Sequence, residues 1–280
     1  MKPINIYALT RIRDKDELDR FERQMSMRRA FLRIREWEVD GLRTFIDRLS
    51  AHLDTAFELE FFYSFTMPKL GKEFDLLRVN DEYIVNIEIK SREVTEEAIK
   101  KQLLINRYYL STIGRNAFFY TYISDTGRLI RLSNSGKTVE SSFEELSSVL
   151  EKQKDCYTGD IELLFKEDRY LISPLTDPAR FLRGEYFLTN QQNDIKRQIL
   201  KKIREQKAAK EGPPLIAGFS GLPGTGKTIL LFDIAMQLSR FNKVCVFHMG
   251  AHEKELEQLD ERLKRIDFFY FDDKEKLAGI

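Results

Sequence analysis

"EFDLLRVNDEYIVNIEIKSR", Glu73 to Arg92, reads as two short apolar strands joined by a tight polar turn. Charges stand inside those strands: Asp75 on one side of the turn, Glu88 and Lys90 on the other. A charge in an apolar strand costs free energy unless it is paired, hydrated or bound. Side chains alternate along a strand, so Glu88 and Lys90 share a face while Ile87 and Ile89 point the other way. In an antiparallel hairpin with a two- or four-residue loop, paired positions sum to an odd number, which brings Asp75 onto the face of Glu88 and Lys90. A loop of Asp81–Glu82 pairs Asp75 with Glu88. A three-residue loop or a bulge would turn Asp75 to the opposite face. Two carboxylates that close repel, and in isolation one takes up a proton. A bridging divalent cation reconciles them, and oxygen ligands suit Mg²⁺ or Mn²⁺. Lys90 then lies beside the metal, placed to orient or deprotonate a water and to stabilise charge on a phosphate. The pattern predicts phosphodiester hydrolysis. The alternative is a charged, solvated sheet face with a Glu–Lys pair.

Upstream, Asp16 to about Leu53 is helical in period, with Leu18, Phe21, Met25, Phe31, Ile34, Trp37, Leu42, Phe45 and Leu49 among the apolar positions. Its polar side carries Arg20, Arg23, Arg28, Arg29, Arg33 and Arg35. These form either a solvated face laced with acids or a surface for backbone phosphates. "FELEFFYSF" is the strand before the hairpin. Downstream, Thr95 is an N-cap with Glu96 and Glu97 in the first turn, and the helix runs to Ile113 before Gly114. "AFFYTYIS" and "RLIRLS" are two further strands around "DTG". The order is helix, three strands, helix, two strands. Residues 133–184 give weaker signals, a short helix "SFEELSSVLEKQ" and a Pro-containing connector, and read as a linking segment.

A second pattern follows: the helix "QQNDIKRQILKKIREQKAAK", the strand "LIAGFSG", a Gly-rich loop, the helix "KTILLFDIAMQLSR", the strand "KVCVFHM", the helix "EKELEQLDERLKR" and the strand "DFFYF". This alternation predicts a parallel sheet with crossover helices. "GLPGTGKT" matches GxxxxGK[ST] from Gly221 to Thr228. Gly221, Gly224 and Gly226 let backbone N–H groups around Thr225 turn toward phosphate oxygens, and the next helix adds its N-terminal partial charge. Lys227 reaches the outer phosphates and Thr228 offers its hydroxyl to Mg²⁺. Hydrolysis also needs an acid on a later strand. Asp272 and Asp273 are candidates, against a plain acidic turn. One such unit with three strands is about half of a P-loop domain, so nucleotide binding is expected and autonomous hydrolysis is not.

The 280-residue chain is 42% hydrophobic and 32% charged with net charge +1. Such a balance carries no global nucleic-acid signature, so any such surface is local. Cys156 and Cys245 are far apart, which argues against a disulfide framework and for a reducing cytosol. No signal peptide and no membrane span are expected.

Asp75 followed by Glu88-Ile89-Lys90 at the end of an apolar strand resembles the PD-(D/E)XK nucleases, whose fold is restriction-endonuclease-like. The core order agrees, although Phe74 stands where a Pro often precedes the Asp. The resemblance implies catalytic roles for Asp75, Glu88, Lys90 and Gln102, the last in the following helix with Asn106 and Tyr109 on its face. It implies metal at Asp75, Glu88 and Ile89, and a first-helix or first-strand glutamate among Glu36, Glu38 and Glu60. The C-terminal part resembles superfamily 1 helicases: "YFLTNQQ" looks like their adenine-reading motif, making Gln192 the base contact, and on that alignment the Walker B motif would lie beyond Ile280. The expected class is α/β: a restriction-endonuclease-like mixed sheet flanked by helices over 1–132, the link over 133–184, and a partial P-loop NTPase parallel sheet over 185–280. The pairing implies a cytoplasmic, metal-dependent nuclease with Mg²⁺ or Mn²⁺ and ATP, acting on DNA with RNA still open, in DNA repair or anti-phage defence. The alternatives are a nucleotide-dependent regulatory or nucleic-acid-binding protein with an inactive nuclease-like fold, or an NTPase with a scaffold in front. A second copy or a partner protein would complete the NTPase half.

Overall fold

In chain order the first unit, Met1–Lys166, carries strand β1 (Ile4–Asn5), helices α1 (Ile6–Arg11), α2 (Lys15–Ser26) and α3 (Glu36–Leu49), and strands β2 (Glu60–Thr66), β3 (Glu73–Val79) and β4 (Tyr83–Lys90). It continues with helix α4 (Glu96–Ser111), strands β5 (Asn116–Ile123), β6 (Arg128–Leu132) and β7 (Thr138–Ser141), and helix α5 (Phe143–Lys152). The computed structural model describes residues 1–29, 32–68, 70–153, 155–209, 215–222, 224–249 and 254–270. The seven strands form one sheet in sequence order, parallel only between β4 and β5. The class is therefore α/β, a mixed sheet flanked by helices, because a parallel pair needs a crossover and α4 supplies it.

The hairpin closes as its parity requires. Leu76 pairs with Ile87 and Val79 with Ile84, and the Asn80 N–H donates to the Tyr83 carbonyl at 3.0 Å. Asp81 and Glu82 remain as the turn. Asn80 Oδ1 accepts from the N–H groups of Glu82 and Tyr83, the local bonding that makes Asn a turn residue.

The two sheet faces are filled differently. Val39, Leu42, Phe45, Ile46 and Leu49 of α3 bury against Phe61, Tyr63, Leu76, Val85, Ile87, Tyr120 and Tyr122. Each such side chain contributes about 1.5–3 kcal/mol of transfer free energy. A Cβ on Gly41 would stand 2.9 Å from the Ile89 side chain, so Gly41 allows α3 to lie close over the end of β4. On the opposite face α4 buries Ile99, Leu103 and Leu110. Its N-cap is Thr95, whose hydroxyl accepts from the Ala98 N–H at 3.3 Å, and Gly114 follows its last turn at φ 79°.

Two expectations change. The helical pattern over Asp16–Leu53 breaks into α2 and α3, since Met27 turns left-handed at φ 51° and Arg28 leaves the helix face to bond β2. Phe31 falls outside the described residues. The segment 133–184 is not one link: β7 pairs with β6, and Phe143, Leu146 and Leu150 of α5 enter the first unit's core. Their amphipathic spacing finds its apolar surface there. Gln153, just past α5, donates to the Tyr83 carbonyl at 3.0 Å, and the boundary between units falls after Lys166.

The second unit, from Glu167, holds α6 (Glu167–Tyr170), α7 (Pro178–Leu182), α8 (Asn190–Ala209), α9 (Lys227–Ser239), β8 (Val244–His248), α10 (Lys254–Arg262) and β9 (Ile266–Tyr270). β8 and β9 are parallel, Val246 opposite Phe268. "LIAGFSG" is not a strand: 215–220 has no regular structure and Ile216 is 93% exposed. Of this run only Phe219 is half-buried, packed against Leu200, Leu230 and Ile234. Asp272 and Asp273 lie outside the described residues. Among the described residues no helix is long and apolar enough to cross a membrane.

Candidate active site and phosphate loop

One rung beyond the Leu76–Ile87 pair, Asp75 turns its carboxylate into the ladder, and the Ile89 N–H donates to Asp75 Oδ2 at 2.8 Å. Glu88 is 1% exposed. Its Oε1 accepts from Asn106 Nδ2 at 2.7 Å and Asn86 Nδ2 at 3.2 Å. Its Oε2 accepts from Gln102 Nε2 and lies 3.9 Å from Lys90 Nζ. Parity explains the assembly: Asn86, Glu88 and Lys90 share the face that α4 covers, and Gln102 and Asn106 stand one helical turn apart above it. A buried carboxylate is tolerated only with such partners. Tyr109, next on the α4 face, is buried, which raises its phenol pKa.

Asp75 lines a cavity of about 320 Å³ with Trp37, Glu38, Leu42, Tyr63, Ser64, Glu73, Ile89, Lys90 and Ser91. Burial pushes the Asp75 carboxyl up to about 7, the charge of Glu88 adds to this, and Lys90 and the Ile89 N–H oppose it. Burial also raises the Tyr63 phenol, with Glu38 and Asp75 adding to the effect. Of the glutamates considered, Glu38 is in this cavity. Glu36 lines a separate cleft with Ile12, Arg13 and Lys15, and Glu60 lies at the β1 end of β2, opposite Asn5.

The arginine-rich segment supplies a support that its period hides. Glu22 is 1% exposed and pairs with Arg28 Nε at 3.0 Å. Arg28 Nη1 and Nη2 donate to the carbonyls of Ser64 and Tyr63 at 3.0 and 2.5 Å. Ser64 has φ 49°, an uncommon conformation for a residue with a side chain. It sits between the pairs Tyr63–Leu76 and Phe65–Phe74, on the rung of Asp75, and its hydroxyl donates to Glu73 Oε1. Arg28 is thus neither a solvated residue nor a free phosphate ligand. Lys72 is a second cation near Asp75 and Glu88; burial lowers its pKa, and the two carboxylates counter that. Position relative to the hairpin was the signal for Asn86 and Lys72. No period marks Arg28, because its partners lie 35 and 36 residues away.

The donors fit a divalent cation in part. A cation would draw on carboxylate oxygens of Asp75 and Glu88 and on the Ile89 carbonyl, and Asn106 Oδ1 and Thr121 Oγ1 are buried without protein partners. Thr121 pairs with Glu88 in the β4–β5 ladder. Among the described residues no group of three or more His, Cys, Asp or Glu is spaced to hold a metal, so any ion there would rest on two carboxylates, backbone and water.

In the second unit Gly224 and Gly226 take φ 77° and 79°, and α9 begins at Lys227 with Gly226 as its N-cap. Lys227 Nζ donates to the carbonyls of Gly221 and Leu222, both at 2.9 Å, and Thr225 Oγ1 donates to the Leu222 carbonyl at 2.8 Å. Gln192 Nε2 donates to the Thr225 carbonyl at 3.0 Å while its Oε1 accepts from the Thr189 N–H at 2.8 Å. A Cβ on Gly226 would overlap Gln192 Nε2. The sequence-predicted glutamine and loop are therefore together, and Thr228 lies in the first turn of α9. Behind them Asp233 accepts from Tyr186 Oη at 2.7 Å and pairs with Lys196 at 2.5 Å, tying α9 to α8. Comparison with protein-family models, with curated proteins and with solved structures returns no match.

Proposed function

We propose that the chain is a divalent-metal-dependent nuclease acting on phosphodiester bonds of DNA, with a nucleotide-binding loop as a regulatory module. The observation that carries the reading is the convergence of Asp75, Glu88 and Lys90 at one sheet end, Asp75 held by the Ile89 N–H and Glu88 by Gln102, Asn106 and Asn86. Mg²⁺ or Mn²⁺ held by Asp75, Glu88 and the Ile89 carbonyl would supply charge neutralisation and an acidified water. Gln102, Asn106 and Asn86 fix the Glu88 carboxylate, so its orientation needs no reorganisation when substrate arrives. Lys90, 3.9 Å from Glu88 Oε2, presents its ammonium to an incoming phosphate. A nucleotide at Gly221–Thr228 would meet the α9 N-terminus, with Lys227 leaving the carbonyls of Gly221 and Leu222 for phosphate oxygens. Plasmid and linear DNA incubated with Mg²⁺ or Mn²⁺ test this: cleavage that EDTA stops and that Lys90→Ala abolishes is the expected result. Absence of cleavage with either metal, or equal cleavage by Lys90→Ala, contradicts it.

A second reading has its own support. Both Glu88 oxygens already accept bonds from protein donors, and although Glu38 and Glu73 line the Asp75 cavity, no group of three acids among the described residues is spaced to hold a metal. This favours a nuclease-like fold that docks nucleic acid without cutting, under nucleotide control. Binding of DNA without metal-dependent cleavage would select it.

A further inference from the structure

Trp37 is the chain's single tryptophan, and it is 47% exposed. An isolated exposed aromatic needs no explanation, but this one is a wall of the cavity that holds Asp75 and Lys90. It stands in the first turn of α3, the helix that Gly41 allows to approach Ile89, so its backbone is fixed relative to β4. The Arg35 guanidinium lies 5.8 Å from the ring centroid. Leu42, Tyr63 and Lys90 line the same cavity, and Lys90 lies 3.9 Å from Glu88 Oε2. An exposed aromatic ring with Arg35 beside it, in one cavity with Lys90 and the Asp75 carboxylate, matches a nucleotide unit: base on the ring, phosphate at Lys90.

We propose that Trp37 is the stacking platform for an unpaired base, which makes single-stranded nucleic acid, or an unpaired end, the favoured substrate of this site. Paired bases in a duplex already cover both of their faces, whereas an unpaired base offers its face to an aromatic side chain. The proposal rests on the nuclease reading for the identity of the substrate. It adds a specificity residue which that reading does not require.

The test uses the full chain carrying Glu88→Gln, so that bound strands stay intact, and reads Trp37 emission directly. Probes are a labelled oligo-dT, an oligo-U of equal length and a blunt duplex. Single strands quench the emission and the duplex does so far less. By anisotropy, adding Trp37→Ala weakens single-strand binding about tenfold, within the range of base–aromatic stacking, while Trp37→Phe stays within about threefold and duplex affinity is unchanged. In the chain with Glu88 intact, Trp37→Ala raises KM for single strands and leaves kcat within about threefold. Single-strand binding without quenching, or equal affinity in the Trp37→Ala protein, overturns the stacking role. If cleavage persists in that case, the nuclease reading stands without it. Loss of both binding and cleavage for every probe with the parent chain overturns both.

Discussion

The two units carry two candidate sites, and these are written into the chain differently. The Gly-rich loop is a contiguous run, Gly221–Thr228, whose local geometry forms around Gly224, Gly226 and Lys227, yet among the described residues 215–220 before it form no strand and only Phe219 packs against α8 and α9. The carboxylate site is spread over β3, β4 and α4, with Asp75, Glu88 and Gln102 joined only by strand parity and a crossover, yet Asp75 accepts from the Ile89 N–H and the buried Glu88 accepts from Gln102 and Asn106. A strong motif thus does not by itself bring its sheet. A weak motif assembles fully when the surrounding core fixes its register.

The first site therefore depends on side chains such as Arg28, and the loop of the second on left-handed glycines braced by Gln192. Arg28→Met breaks a buried pair and frees two carbonyls next to the Asp75 rung. It should destabilise the first unit by about 3–5 kcal/mol, read as a lower denaturant midpoint, and a change near zero would mean that Glu22 and Arg28 are solvated. Lys227→Ala should leave stability within about 0.5 kcal/mol and metal-dependent cleavage within about threefold, while weakening nucleotide binding by about 2 kcal/mol, within the range for a hydrogen bond to a charged group. Titration with a fluorescent ATP analogue measures it, and cleavage lost in that variant would show that the two sites act as one.

Asp75 supplies the pH dependence. Its folded pKa of about 7 lies above its ordinary value of 3.8, so between those values the native state binds more protons than the unfolded chain. Metal-free stability therefore falls as pH rises from about 4 to 7, by up to about 1.4 kcal/mol per unit. Asp75→Asn should flatten that slope, and Mg²⁺ should stabilise the parent chain more at pH 8 than at pH 5. Thermal unfolding across the range checks both, and a parent slope equal to that of Asp75→Asn would remove Asp75 as the cause. The smallest effect belongs to Ser64→Gly. Glycine accepts φ 49° without strain, so stability should change by no more than about 1 kcal/mol in either direction, while the lost bond to Glu73 reports on the cavity rim.

Much of this was legible in the residues. The parity of Asp75 with Glu88 and Lys90, the Asp81–Glu82 turn, the Thr95 cap and the Gln102–Asn106 stripe follow from period-two and period-3.6 spacing, which local sequence displays. The break at Met27 and the Arg28 clamp were not legible, because a helical period continues through 27–35 and the competing bonds come from strand carbonyls far along the chain. The same holds for 133–152. β7 and α5 are weak by themselves and take their structure from the edge of β6 and the core around Phe45 and Tyr122. In "LIAGFSG" the expectation ran the other way: its apolar residues suggest a strand, but 215–220 stays irregular and only Phe219 reaches the cluster of Leu200, Leu230 and Ile234.

The most direct test of the central claim is single-turnover cleavage of DNA in Mg²⁺ or Mn²⁺ by the parent chain, Glu88→Gln, Lys90→Ala and Lys227→Ala, each shown to be folded by near-UV circular dichroism. The account predicts EDTA-sensitive cleavage by the parent and Lys227→Ala, with a loss of about a hundredfold or more in Glu88→Gln and Lys90→Ala. Cleavage that survives in both hairpin variants, or that is absent from the folded parent with either metal, would contradict it.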